Sequence, residues 1–331
     1  MAFKAKIIGT GSYLPEKVLT NRDLEAMVET TDEWIVSRTG MKERRIAASG
    51  EFTSHMGAEA AKKALTDAKL EASEIDFILV ATLTPDYIFP STACLIQKEI
   101  GAAKAAGLDV QAACTGFLYA LSLAKSLVES GTYKNILVVA SEKLSSITDY
   151  KDRSTCVLFG DGAGACVISS EGKGLSIESV RLGCDGEQAE LLLIPAGGCR
   201  KPASQESVDQ REHYIKMAGN EVFKHAVRRM EMACKECLDA AGVKEEDIAW
   251  LIPHQANLRI IDAIAKRFHH LPPERIFKTV HKYGNTSASS CVIALDEMRK
   301  TQNVSHNEQV LLTAFGSGLT WGAALLKEDR A

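Results

Sequence analysis

The chain has 331 residues, 46% of them hydrophobic and 25% charged, with a formal net charge of −4. This average globular composition excludes a disordered or collagen-like protein and provides no global basic charge for nucleic acid or an anionic membrane. Single cores stop growing near ~250–300 residues, so two domains are expected.

The cysteine count of 9 is odd, which makes a poor disulfide framework and fits a reducing compartment in which most thiols are inert core residues. The opening stretch MAFKAKIIGTGSYLP lacks the apolar core of a signal peptide. The longest uncharged run, Val310 to Leu326, is broken by Gly316, Ser317 and Gly318 and falls short of the ~20 apolar residues of a spanning helix. A soluble, unsecreted, cytoplasmic protein is expected.

In chain order, Ile75 to Ala81 is a short apolar run of strand length. Asp109-Val-Gln-Ala-Ala-Cys-Thr-Gly is a small-residue stretch leading into an apolar helix over Gly116 to Ser130. This places Cys114 at a helix start, where the partial positive charge favours thiolate, although a small buried Cys beside Ala is also common in cores. Ile136 to Ala140 is a second strand. Gly160-Asp-Gly-Ala-Gly164 has the glycines of a nucleotide loop but runs into the strand-like Ala165-Cys-Val-Ile168 rather than a helix, which argues against a dinucleotide site.

Glu221 to Ala241 carries Val222, Phe223, Ala226, Val227, Met230, Cys234, Leu238 and Ala241 at helical spacing. Cys234 and Cys237 form an isolated C-x-x-C inside that helix, with no second pair, so no metal site is expected. His269-His270 lacks carboxylate or Cys neighbours at ligand spacing. Ile248 to Ile252 is a third strand, and His254 follows it directly, at the strand end where ligands gather in open α/β sheets; a satisfied structural histidine is the alternative. Asn285, in Tyr283-Gly-Asn-Thr-Ser, opens a helix over Ser287 to Lys300, where a helix cap would also explain it. Val310 to Ala314 is a fourth strand, and the glycines of Ala314-Phe-Gly-Ser-Gly-Leu-Thr-Trp-Gly322 allow either close backbone approach to a reacting centre or an ordinary hairpin.

The chain also resembles itself. Leu65 to Leu79 aligns with Leu238 to Ile252, offset by 173, and Asn135 to Ala140 aligns with Gln309 to Ala314, offset by 174. Each half reads as helix, strand, helix, strand, which predicts two similar α/β halves, residues 1–171 and 172–331, packed face to face. Asn285 lies 171 residues after Cys114, so a pseudo-two-fold axis is expected to bring the two helix starts together.

Six motifs in order resemble the ketoacyl-acyl carrier protein synthase III family: Trp34-Ile-Val-Ser-Arg-Thr-Gly40 with Arg44-Arg45, Ala112-Ala-Cys-Thr-Gly-Phe117, Phe159-Gly-Asp-Gly-Ala-Gly164, His254-Gln-Ala-Asn-Leu-Arg259, Gly284-Asn-Thr-Ser287 and Gly316-Ser-Gly-Leu-Thr-Trp-Gly322. The resemblance implies a thiolase-like fold, a layered α-β-α-β-α sandwich, and a decarboxylative Claisen condensation of a short acyl-CoA with malonyl-acyl carrier protein that initiates fatty acid synthesis. It makes Cys114 the acyl-carrying nucleophile, His254 and Asn285 the donors to the malonyl thioester oxygen, and the backbone N–H groups of Cys114 and Ser317 the oxyanion hole. Ser317 stands where the family often has Gly. Asn285 stands where elongating relatives carry a second His.

The resemblance further implies that Trp34, Arg38 and Arg153 bind coenzyme A. It assigns carrier-protein binding to Lys224, Gln255, Ala256, Asn257, Leu258, Arg259 and Lys266, with Arg267 a further candidate. Phe89 is expected to enter the partner subunit's acyl pocket, implying a homodimer and a small primer such as acetyl. No cofactor or metal is implied, because acyl-CoA is a substrate. The alternatives are an acyltransferase that moves the acyl group to an alcohol or amine without decarboxylation, a cysteine hydrolase, and a non-catalytic carrier-protein-binding module.

Overall fold

Residues 3–329 are described by a computed structural model. The sheet strands, in chain order, are β1 (Lys6–Tyr13), β2 (Phe77–Ala81), β3 (Ala106–Val110), β4 (Asn135–Glu142), β5 (Gly162–Ser169), β6 (Leu175–Cys184), β7 (Ile248–Pro253), β8 (Gln309–Gly316) and β9 (Thr320–Glu328). The helices that cover them or frame the site are α1 (Asp32–Thr39), α2 (Thr53–Ala68), α3 (Thr92–Ile100), α4 (Gly116–Glu129), α5 (Gly219–Ala241), α6 (Leu258–Ala265) and α7 (Ser289–Thr301). Each strand and helix anticipated above is present, with ends moved by up to three residues.

The strands form one continuous hydrogen-bonded order, β7-β8-β9-β6-β1-β5-β4-β2-β3. The junction at its middle is slight, with only Lys6 paired to Ser176 and Ile7 to Leu175. Outward from that junction the order repeats: β1-β5-β4-β2-β3 on one side and β6-β9-β8-β7 on the other. Pairing directions repeat too, parallel for β2 with β4 and for β7 with β8, antiparallel for β4 with β5 and for β8 with β9. Where β3 would have its counterpart, an isolated parallel bridge joins Leu251 to Ile276.

Three apolar clusters lie between the layers. Alternate residues of β4 face opposite ways, as the pleat requires. Leu137 and Val139 join α2 and α3 in one cluster, while Ile136, Val138 and Ala140 join α4 and α7 in the central one. In β8, Val310, Leu312 and Ala314 face the central cluster, while Leu311 packs with α5 and α6. Strands covered on both faces read as unbroken apolar runs, which is why these were visible in the sequence.

Helices α4 and α7 fill the middle layer and start beside one another. A Cβ at Gly116 would sit 3.4 Å from the Cβ of Ala288. The expected meeting of helix starts is therefore observed, with its register corrected by three residues. Ala113 and Ser287, each just ahead of its helix, share a left-handed backbone (φ 45 and 51). They are 174 apart, which pairs Cys114 with Ala288 and places Asn285 earlier in its loop.

Candidate active site

Cys114 occupies a single 3-10 turn, Ala113–Thr115, between β3 and α4. That turn is tied to the loop after β8 through paired hydroxyls. Thr115 Oγ1 donates to Thr320 Oγ1 (2.8 Å), and Thr320 Oγ1 also lies 2.9 Å from the Ser317 carbonyl and 3.2 Å from the Ala112 carbonyl. Gly316 touches Cys114 directly, since a Cβ there would come within 2.7 Å of the Cys114 nitrogen. This close approach is what glycine permits at that position. The Ser317 hydroxyl donates to the Leu192 carbonyl on the cavity wall, so the departure from Gly at 317 anchors the loop.

His254 follows β7 and is 2% exposed. Its backbone N–H donates to the Thr313 carbonyl at 2.7 Å, and its Nδ1 lies 2.6 Å from Ser290 Oγ in α7. Ser290 Oγ also accepts the Gln255 N–H at 3.3 Å. With the Ser290 hydroxyl donating to Nδ1, the ring's own proton sits on Nε2. Burial pushes the imidazole down to about 3, so the ring is a neutral N–H donor at physiological pH.

Asn285 is also buried, and its backbone is pinned by two bonds, Asn285 N–H to the Leu158 carbonyl (2.9 Å) and Gly160 N–H to the Asn285 carbonyl (3.0 Å). Its Oδ1 accepts the Ser287 N–H at 2.8 Å, which orients the NH₂ as the free end of the amide.

These side chains line one cavity of about 980 Å³, which contains Cys114, His254, Asn285, Ser287, Phe315 and Ser317. Cys114 is only partly exposed. Desolvation pushes its thiol up to about 12, against the helix-start effect expected from the sequence. A nucleophilic role for such a thiol calls for a proton acceptor within reach.

At the cavity mouth the expected coenzyme A residues come together. The Arg153 guanidinium stacks 4.9 Å from the Trp34 ring and donates to the Glu29 carbonyl, and Arg38 lines the same opening. Of the expected carrier-protein residues, Lys224, Arg259 and Lys266 are exposed. Arg259 lies over the Phe223 ring at 5.3 Å.

Gln255 is a correction, because it is fully buried. Its Nε2 donates to the Pro253 and Phe277 carbonyls and its Oε1 accepts the Thr279 and Val280 N–H groups. It shapes the turn carrying His254 and presents nothing to a partner. Asn257 caps α6 through Arg259 N–H and donates to the Arg38 carbonyl, and Leu258 packs on Gly40; Ala256 and Asn257 line the cavity. Arg267 is held by Glu231 and Glu245.

Phe89 is 84% exposed between Ile88 (91%) and the cis bond to Pro90. Cys234 and Cys237 are buried in α5. Gly160 to Gly164 runs into β5, as the sequence indicated. Among the described residues no helix is long and apolar enough to cross a membrane.

A sheet whose two sides repeat one strand order, with Cys114 ahead of α4, His254 after β7 and Asn285 ahead of α7 lining one cavity, is the arrangement of a condensing acyltransferase of the thiolase-like fold. Residues 108–186 match the family model described as 3-oxoacyl-[acyl-carrier-protein] synthase III, and residues 238–328 match the model of its C-terminal part. The chain is 59% identical to beta-ketoacyl-[acyl-carrier-protein] synthase III of Chlamydia muridarum, over 98% of this chain and 99% of that one. It is 51% identical to the enzyme of the same name from Caldanaerobacter subterraneus, over 98% and 97%. The crystal structure of 3-oxoacyl-[acyl-carrier-protein] synthase III from Aquifex aeolicus superposes with a TM-score of 0.90 at 50% identity, covering 98% of this chain and 99% of that one. The chain belongs to the beta-ketoacyl-[acyl-carrier-protein] synthase III family.

Proposed function

We propose that this chain joins a short acyl group from acyl-CoA, acetyl the expected primer, to malonyl-acyl carrier protein with loss of carbon dioxide. The product is a 3-oxoacyl-carrier protein, the first condensation of fatty acid synthesis. The observation that carries the reading is the cavity shared by a nucleophilic thiol and two neutral donors, His254 and Asn285, with no strong base between them.

Cys114 Sγ attacks the acyl-CoA carbonyl, and the backbone N–H groups of Cys114 and Ser317 receive the oxyanion. Coenzyme A leaves past Trp34, Arg38 and Arg153. Malonyl-carrier protein then enters, and His254 Nε2–H with the Asn285 amide donates to its thioester oxygen as carbon dioxide departs and enolate charge builds there. Donors of this kind are worth ~10²–10³ in rate. The carbanion attacks the Cys114 thioester and the thiolate leaves. No cofactor takes part in these steps.

Residues 1–171 supply the nucleophile and residues 172–331 supply His254 and Asn285. Lys224, Arg259 and Lys266 meet the acidic carrier protein, with Ala256, Asn257 and Leu258 at the edge of its docking site. The exposed Phe89 enters the acyl pocket of a second copy, so the working unit is a cytoplasmic homodimer. Acyl transfer to an alcohol or amine without decarboxylation is not favoured, because the relatives are named as synthases of 3-oxoacyl products. Carbon dioxide release from labelled malonyl-carrier protein, dependent on acyl-CoA and on Cys114, tests the reading; release without a 3-oxoacyl product would overturn it.

A further inference from the structure

Glu142 ends β4 beside the active site and is fully buried. Its Oε2 accepts from Thr82 Oγ1 (3.2 Å), Leu83 N–H (3.1 Å) and Thr84 Oγ1 (2.8 Å). Its Oε1 has no partner. The Ser287 hydroxyl, 1% exposed, adjoins both this carboxyl and the Cys114 thiol, but it closes no bond of full geometry with either and is also unpartnered. Two buried polar atoms left open are costly unless a function uses them. Ser287 lines the cavity with Cys114 and also neighbours the Glu142 carboxyl.

We propose that Ser287 and Glu142 form a proton-holding relay for Cys114. This rests on Cys114 being the nucleophile. As Sγ attacks the acyl-CoA carbonyl, its proton passes to Ser287 Oγ, and the Ser287 proton passes to Glu142 Oε1. The Sγ–C bond forms, the C–S bond to coenzyme A breaks, and the departing thiolate takes a proton from water. In condensation the carbanion displaces the Cys114 thiolate, which recovers the proton stored at Glu142. Each turnover consumes one solvent proton, carried away by coenzyme A. Glu142 touches neither substrate and is a positioning residue acting through Ser287.

The surrounding groups fit this role. The Thr82–Thr84 segment contributes hydroxyls and an N–H, the turn before α4 contributes Cys114, and the α7 approach contributes Ser287. Burial raises the Glu142 carboxyl to about 7, which suits a reversible acceptor near neutral pH. His254 is held neutral with its titration near 3, and the Cys291 thiol is pushed up to about 12, so neither titrates in this range. Lys143 turns its ammonium away to the Ala48 and Glu51 carbonyls.

The test is rapid-quench intact mass spectrometry of the full-length enzyme with acetyl-CoA across pH, with malonyl-carrier protein discharge measured separately. Glu142→Gln is expected to slow acylation ~10²-fold, the scale of a lost proton acceptor. It should also abolish the wild-type rise in rate through pH about 7, leave the KM for acetyl-CoA within about twofold, and affect discharge of the acyl-enzyme far less than acylation, because the thiolate is displaced before it recovers the proton. Ser287→Ala, which keeps the three donors to Glu142, is expected to show the same selective loss and decides the matter if Glu142→Gln does not fold. Wild-type acylation in Ser287→Ala, or equal loss in both half-reactions in either variant, overturns the relay. An acyl adduct absent from Cys114 in the wild type would instead overturn the assignment of the nucleophile.

Discussion

Ser290 Oγ and His254 Nδ1 lie 2.6 Å apart across the join of α7 and the loop after β7. A Ser290 hydroxyl that donates here leaves the ring proton on Nε2, which is the proton the proposed role of His254 requires. Ser290→Ala should leave acyl transfer to Cys114 within about twofold and slow decarboxylation by ~10-fold, the cost of one lost hydrogen bond of about 1.4 kcal/mol. Separate measurement of the two half-reactions checks this, and equal losses would contradict it.

Gly316 is constrained by contact rather than by turn geometry. A methyl group there would meet the Cys114 nitrogen at 2.7 Å and its Cβ at 3.1 Å. Gly316→Ala should destabilise the fold by ~1–3 kcal/mol, as overpacking does, and reduce acylation by a larger factor than the stability loss explains, because the displaced group is itself the nucleophile's backbone. Thermal melts alongside acylation rates separate these effects. A variant that acylates normally would show that the contact is easily relieved.

Two buried ionisable groups of the site, His254 and Glu142, tilt the pH dependence of stability in opposite directions. His254 is lowered from 6.5 to about 3, so its contribution is present above pH 6.5 and is lost as pH falls toward 3. Glu142 is raised from 4.5 to about 7, so its contribution is present below pH 4.5 and is lost as pH rises through 7. Between 4.5 and 6.5 the slopes oppose. Glu142→Gln should therefore make the melting temperature climb more steeply with pH over that window, and His254→Ala should make it fall. Parallel profiles in wild type and both variants would refute the assignment.

The Arg153 guanidinium lies 4.9 Å over the Trp34 ring, and the proposed coenzyme A site uses this pair against the adenine ring. Trp34→Ala should raise the KM for acyl-CoA ~10-fold, the range of one lost stacking contact, with kcat within about twofold and no change in affinity for malonyl-carrier protein. Steady-state kinetics with each substrate varied in turn distinguish this from general damage.

Much of the architecture was legible because the strands are buried on both faces. Ile136 to Ala140 and Val310 to Ala314 read as strands from apolar content alone. Strand β6, Leu-Ser-Ile-Glu-Ser-Val-Arg-Leu-Gly-Cys, mixes polar and apolar residues and gave no such signal, so the order of strands around the β1/β6 junction was not accessible.

At the site, Cys114 and His254 announced themselves by address, one before a helix and one after a strand. Ser290, Thr320, Ser287 and Glu142 did not. Each looks like an ordinary small or charged residue in its own segment and acquires its place only through a contact across the fold, as when Ser290 meets a histidine 36 residues away. Gln255 misled for the same reason, since its four partners lie at Pro253, Phe277, Thr279 and Val280.

The central claim is that Cys114 carries the acyl group that condensation consumes. A pulse of acetyl-CoA followed by a chase of malonyl-carrier protein, both read by intact mass and peptide mapping, tests it most directly. The account predicts one acetyl group on the Cys114 peptide, lost in the chase with stoichiometric carbon dioxide and 3-oxobutanoyl-carrier protein, and no adduct in Cys114→Ser. An adduct on another residue, or one that the chase discharges to free acetate, would contradict it.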